Sequence, residues 1–299
     1  MRKGIVLFIT LSIIIAMLGL VGIIFSYLDK AKKNSSHTSA MIQANLFFVD
    51  TSNAIKVLLK RVGNSKDKKK MIADTIYLAP VVLQPENGNA FVNAECKPLD
   101  GGVDINWLGY ENNKSMQPQY TIAQSLFDKI VDEYSIEDAT LLLDKILESI
   151  KQEDEIESNY RVLDRRGINS LKEFKDIIRD YQFEADDTKV GDILWEKFFS
   201  FDIGSDRVDG NYISAELVAM LFDMDYDVIK DEWFMGEDLN KFISAHDGDK
   251  ENYNNKVFSK DIIERLNCKV TYSYQGNIYA FGFDYLDKGA KRFEFYGNQ

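Results

Sequence analysis

The chain has 299 residues, 45% of them hydrophobic and 28% charged, and its acidic side chains outnumber the basic ones by 12. With only 4 prolines it has the makeup of a folded protein rather than a disordered one. Its negative balance repels polyanions, which argues against nucleic acid as a partner.

Residues Met1-Arg2-Lys3-Gly4 precede an apolar run, 5–28, that holds no charged side chain. As a helix, two dozen residues reach roughly 36 Å, against about 30 Å of bilayer hydrocarbon. A transmembrane helix is therefore predicted, the one form in which a single segment satisfies its own backbone in lipid. Ser26-Tyr27-Leu28-Asp29-Lys30 offers no small-residue cleavage site, so the run is expected to stay attached. Arg2 and Lys3 on one side face Lys30, Lys32 and Lys33 on the other, and charge bias sets no orientation. Met41, Ala44, Phe48, Thr51, Ile55, Leu58 and Val62 then recur at helical spacing. One helix over 5–62 follows, its outer half laying an apolar stripe on a globular domain.

The lysines among Lys66-Asp67-Lys68-Lys69-Lys70 read as a solvated loop, and 72–83 as either a helix ending before Pro80 or an irregular strand. Residues 89–96 and 103–108 alternate like two paired strands around the turn at Pro98-Leu99-Asp100-Gly101-Gly102. At the far end, 268–274, 278–285 and 292–296 predict an antiparallel meander turning at Gln275-Gly276-Asn277 and Asp287-Lys288-Gly289. Between these strand regions the texture is acidic and helical, with helices predicted over 121–134, 136–152, 170–181, 193–199, 214–222 and 238–244. Ser135 and Ser214 stand where N-caps would. A helical block between strands of one sheet reads as an insertion. Cys96 and Cys268 lie in strand-like segments and could pair in an oxidising compartment or remain two buried thiols.

The basic leader ending at Gly4, with hydrophobic residues beginning at Ile5, resembles that of type IV pilins and pseudopilins. That resemblance implies cleavage after Gly4 by a prepilin peptidase and methylation of the new amino terminus at Ile5. An uncleaved signal anchor is the alternative for the same stretch. Most of that family carries a glutamate at the fifth mature position, where this chain has Ile9. The K-type minor pseudopilins share the departure. Residues 100–108 (DGGVDINWL) resemble a strand of that subfamily, with Gly101, Asp104 and Asn106 in matching places, and 141–155 resemble its leucine-rich helix. Residues 168–181 and 208–221 are similar to two further capped helices, with Asn211 matching and Tyr212 and Ile213 departing.

What the resemblance implies is an α+β, pilin-like fold in which the long N-terminal helix packs on an antiparallel sheet, plus an insertion of sterile-alpha-motif-like or helix-hairpin-helix-like modules. The expected divisions are a leader at 1–4, a transmembrane segment at 5–28, a stem with first strands at 29–111, the insertion at 112–259 and the last strands at 260–299. The implied protein sits in the bacterial inner membrane with its head in the periplasm. Its partners would be the other minor pseudopilins, the inner-membrane assembly platform and the prepilin peptidase, and its task to initiate a pseudopilus for type II secretion. A minor pilin of a type IV pilus or DNA-uptake apparatus would share these features, and a signal-anchored periplasmic binding domain would share the anchor.

No enzyme is expected: there are 2 histidines, His37 and His246, no zinc spacing and no phosphate-cradling glycine loop. Calcium is the one cofactor considered. Asp247, Asp249 and Glu251 alternate as in calcium loops, and Asp202, Asp206 and Asp209 form a second acidic group. Neither is an EF-hand loop: in the first, Asn252 stands where the sharp-turn glycine belongs and Phe258 where the bidentate glutamate belongs, and solvated acidic loops are the other reading for both.

Overall fold

The first proline of the chain is Pro80, and nothing before it forbids a continuous helix. The computed structural model describes residues 2–62, 65–83, 91–151, 167–201, 204–262, 264–286 and 289–298, without the side chains of 2–16, 62, 66, 83 and 298. In chain order its elements are α1 (Arg2–Val62), α2 (Lys66–Leu78), β1 (Val81–Leu83), β2 (Val92–Pro98), β3 (Val103–Asp104), α3 (Gln117–Tyr134), α4 (Ala139–Lys151), α5 (Leu171–Ala185), β4 (Phe199–Ser200), β5 (Val208–Asp209), α6 (Ala215–Leu221), α7 (Tyr226–Glu232), α8 (Leu239–Ala245), β6 (Phe258–Ser259), β7 (Leu266–Tyr274), β8 (Asn277–Leu286) and β9 (Gly289–Asn298). The fold is α+β, with two cores.

One core joins α1 to an antiparallel sheet of order β1-β2-β7-β8-β9. Along β7 the residues Leu266, Cys268, Val270 and Tyr272 point inward at a period of two, and α1 lies across them. Two alanines, Ala40 and Ala44, are fully buried and let the helix approach closely. Phe47 then meets Tyr272 edge-on at 5.2 Å, and Phe48 sits 5.3 Å from Phe283 and 5.1 Å from Phe293. The turn between β7 and β8 uses Gln275 and Gly276, both at positive φ, as a type I′ hairpin requires. Asp287 and Lys288, the other predicted turn, lie outside the described residues. Cys96 and Cys268 face each other in the β2–β7 register, 4.0 Å apart at Cα, and form a disulfide across 172 residues.

The second core is the helical block. It is built twice on one plan: a Val-Asp strand, a 3-10 turn, three helices and a Phe-Ser strand that pairs parallel with the first. In the first unit β3 pairs with β4 around α3, α4 and α5; in the second β5 pairs with β6 around α6, α7 and α8. Asn106 and Asn211 occupy the same place in the two units. The first accepts from the Ile168 N–H at 2.7 Å, and the second from the Leu239 N–H at 3.3 Å, each at the approach to the third helix. Ser170 and Asp238 cap those third helices, accepting from the N–H groups of Glu173 and Lys241, and Phe174 and Phe242 follow four residues after each cap.

Several sequence expectations give way here. Val103 does not pair with the 89–96 segment: β3 joins β4 inside the block, and Ile105, Trp107 and Leu108 turn into its core as 3-10 helix. Alternation alone could not separate a strand from a tight helix in which every apolar residue is buried. The predicted helix over 193–199 is a single 3-10 turn, Trp195–Lys197, running into β4, because the Trp195 indole is drawn inward to donate to the Val190 carbonyl at 3.1 Å. Ser135 is no N-cap: it ends α3 in the left-handed conformation with φ 50°, its N–H donating to the Asp132 carbonyl, and α4 begins only at Ala139. The lysine-rich stretch is the first turn of α2, and 72–83 divides into that helix and β1. On the stem, Met41 and Leu58 are exposed; the buried stripe runs through Ala40, Ala44, Thr51 and Ile55. α7 was not foreseen.

Candidate functional site

From residue 39 onward α1 is covered by the sheet; before it, among the described side chains, Ser36 reaches Gln275 at 3.5 Å and His37 touches Phe295, and residues 17–28 stand clear of the rest of the chain. Ala40 is the first fully buried residue among the described side chains of the stem. From Met17 to Leu28 the large apolar side chains stand in the open, Leu20 at 60% and Phe25 at 65% exposure. Large exposed apolar side chains in a row of this kind mark an interaction surface. Among the described residues no helix is long and apolar enough to cross a membrane, and much of the 5–28 run belongs to 2–16, whose side chains are outside the description. Gly4 and Ile5 stand in α1 within that same stretch.

The helical block meets the sheet and α2 through a polar junction. Where the chain leaves the sheet, Asp100 accepts from the Arg265 guanidinium at 3.0 Å, and where it returns the Arg265 carbonyl accepts from the Leu99 N–H at 2.9 Å. The Asp100 carbonyl in turn takes the Asp209 N–H of β5 at 2.8 Å. From the side, α2 presents Asp74, which accepts from the Tyr212 hydroxyl at 2.6 Å, while the Tyr77 ring stands edge-on to Tyr212 at 4.9 Å and Lys69 pairs with Glu264 at 2.6 Å. Burial pushes the Asp100 carboxyl up to about 6 in spite of Arg265, and the Asp104 carboxyl up to about 7 in spite of two hydrogen bonds from Asn106. Burial likewise raises both tyrosines above the usual phenol range. Sequence reasoning did not find this junction, since its members come from four separate stretches.

The acidic candidates are not gathered into a site. Asp249 turns its Oδ1 back to the Glu251 N–H at 2.9 Å, and Asp247 stands at φ 53° at the end of its turn. Asp209 is fully buried at the junction, the Asp206 carbonyl accepts from Gln119, and Asp202 lies outside the described residues. Among the described residues no three His, Cys, Asp or Glu side chains are placed to share a metal ion. His37 stands edge-on to Phe295 of β9 at 5.3 Å. His246 is held by the Phe242 carbonyl and by Glu232 at 2.7 Å, contacts that raise it above the usual imidazole range.

No protein-family model matches the sequence, and no curated protein matches it. Among solved structures, a chain of the GspK-GspI-GspJ complex from the enterotoxigenic Escherichia coli type 2 secretion system superposes with a TM-score of 0.56 at 10% identity. The fold is pseudopilin-like. The superposition covers 89% of this chain and 98% of that one, too much for stem and sheet alone. A pseudopilin-like body and a large helical block are therefore both shared with that chain.

Proposed function

We propose that this chain is a minor pseudopilin of the K type, held in the inner membrane by residues 5–28, that caps a periplasmic pseudopilus and starts its assembly for type II secretion. The observation that carries the reading is the two-way coverage: a relative from a minor-pseudopilin complex matches the helical block as well as the stem and sheet. The uncovered apolar stem supports it, because a filament subunit needs that surface for its neighbours' stems. Ile9 supports the tip position. A carboxylate in lipid is tolerated only when paired, and a subunit with nothing to dock onto above it has no use for one. The Cys96 to Cys268 disulfide suits a head that folds in an oxidising compartment. In this reading the protein binds and positions other minor pseudopilins and carries out no catalysis.

Mass spectrometry of the mature amino terminus is the test. Methylated Ile5, and loss of processing in a Gly4→Leu variant, are the expected results. An intact leader in the wild-type protein would sink the proposal and leave a signal anchor.

A further inference from the structure

Phe234 and Met235 stand side by side in the turn between α7 and α8, 64% and 45% exposed. Single exposed apolar side chains are ordinary, but these two are held in place. Trp233, just before them, is buried, packs edge-on to Phe242 at 4.9 Å and donates its indole N–H to the Ile213 carbonyl at 3.0 Å. The Glu237 N–H closes the turn on the Phe234 carbonyl at 3.1 Å. Gly236 adopts φ 98°, donates to the Asn211 carbonyl, and is pressed so close to the α2 helix that a Cβ there would lie 2.8 Å from Asp74 Oδ1. A turn pinned at both ends presents its apolar tip in one geometry, so little ordering entropy opposes binding.

The surroundings fix the sign of the occupant. Residues 223–238 contain seven acidic side chains and one lysine, Lys230, which is already paired with Asp227 at 2.6 Å. On the α2 side of Asp74 the surface is mixed rather than apolar: an open cleft of about 480 Å³ there is lined by Asp67, Lys70, Met71, Asp74 and Thr75. An apolar centre inside a charged rim is the anatomy of a protein interface. Anionic lipid and nucleic acid meet repulsion here. So does a second copy, because residues 112–259 carry 34 acidic against 17 basic side chains.

We propose that the turn bearing Phe234 and Met235 docks a protein partner whose own apolar patch is ringed by lysine or arginine. This surface lies on the helical block and does not depend on how the stem is used. The experiment is photo-crosslinking in living cells from a Phe234→p-benzoylphenylalanine variant of the full chain, with the adduct's contacting peptide sequenced. The expected result is one discrete adduct whose contacting peptide has basic residues around apolar ones. Its yield should fall at least tenfold when Asp231→Lys and Glu237→Lys are added, as for an interface steered by complementary charge. The same photoreactive residue at Phe183, 93% exposed on α5, should not give that adduct. Circular dichroism of the reversal variant checks that it folds. An absent adduct, one to lipid or to a second copy, a contacting peptide without basic residues, the same adduct from Phe183, or a yield untouched by charge reversal in a folded variant would each overturn the proposal.

Discussion

Tyr272 donates its hydroxyl to the backbone carbonyl of Ala40, so the central part of the sheet is hydrogen-bonded to the stem itself. Helix carbonyls are normally spoken for by their own ladder, and a phenol reaches this one only because the helix surface there is alanine. Burial lifts the Tyr272 hydroxyl to about 12, which extends its donor form well into the alkaline range. Ala40→Leu should overpack the contact and destabilise the sheet body by about 1–3 kcal/mol. Tyr272→Phe, which keeps the ring, should lose about 1 kcal/mol. Thermal unfolding of the full chain in detergent, followed by circular dichroism, separates the two, and a tolerated Ala40→Leu would mean that the stem does not sit as described.

The disulfide ties β2, the last strand before the helical block, to β7, the first after it. Closing a loop of 172 residues removes unfolded-state entropy worth about 5 kcal/mol at most, and measured effects are typically about 2–4 kcal/mol. A Cys96→Ala, Cys268→Ala double variant should therefore melt well below the parent in the sheet body, with the transition of the helical block nearly unchanged. Because Cys268 is fully buried, reductant should act slowly below the melting range and quickly within it. Equal melting of parent and variant would show that the bond adds nothing.

The stem, the C-terminal meander and five of the six predicted helices are legible in the sequence, because each depends on a local period that side chains cannot hide. The elements that went wrong were those decided by contacts from afar. Val103 to Leu108 alternates like a strand, yet Trp107 is claimed by the Ser205 carbonyl almost a hundred residues on. The repeat within the helical block did have a signal, Val-Asp with an asparagine two residues later in both units and Phe-Ser at both ends. It is weak because the two units differ so much in helix length. The junction had none: Asp74, Asp100, Tyr212 and Arg265 are ordinary polar residues until the fold brings them together.

Gly102, and not its neighbour Gly101, is the glycine the crossing into the block cannot lose. A Cβ at Gly102 would lie 2.8 Å from the carbonyl carbon of Phe199 and 2.9 Å from the Ser200 nitrogen, both backbone atoms of the facing strand. At Gly101 the nearest atom is the Pro98 side chain at 3.2 Å. Gly102→Ala should force β3 from β4 and cost roughly 1–3 kcal/mol, whereas Gly101→Ala should cost clearly less. Comparable melting of the two variants would mean that β4 can shift to make room.

Asp104 offers a test by pH. Its carboxyl is 2% exposed and stands at about 7, raised by burial from an ordinary 3.8. The folded state thus holds a proton that the unfolded chain releases. Its stabilising contribution is complete below pH 3.8, falls as pH rises, and is gone above about 7. Asp100, at about 6, acts in the same direction over a narrower window. The helical block should therefore melt higher at pH 5 than at pH 8. One oxygen, Oδ1, takes both hydrogen bonds from Asn106, at 2.9 and 2.8 Å, and an asparagine keeps that oxygen without the charge. Asp104→Asn should accordingly flatten the pH dependence and, at pH 8, melt above the parent by a few degrees, since about 1 kcal/mol moves the midpoint by roughly 2–4 °C in a body of this size. A variant less stable than the parent at pH 8 would show that the charged carboxylate, and not its neutral form, is what Asn106 binds.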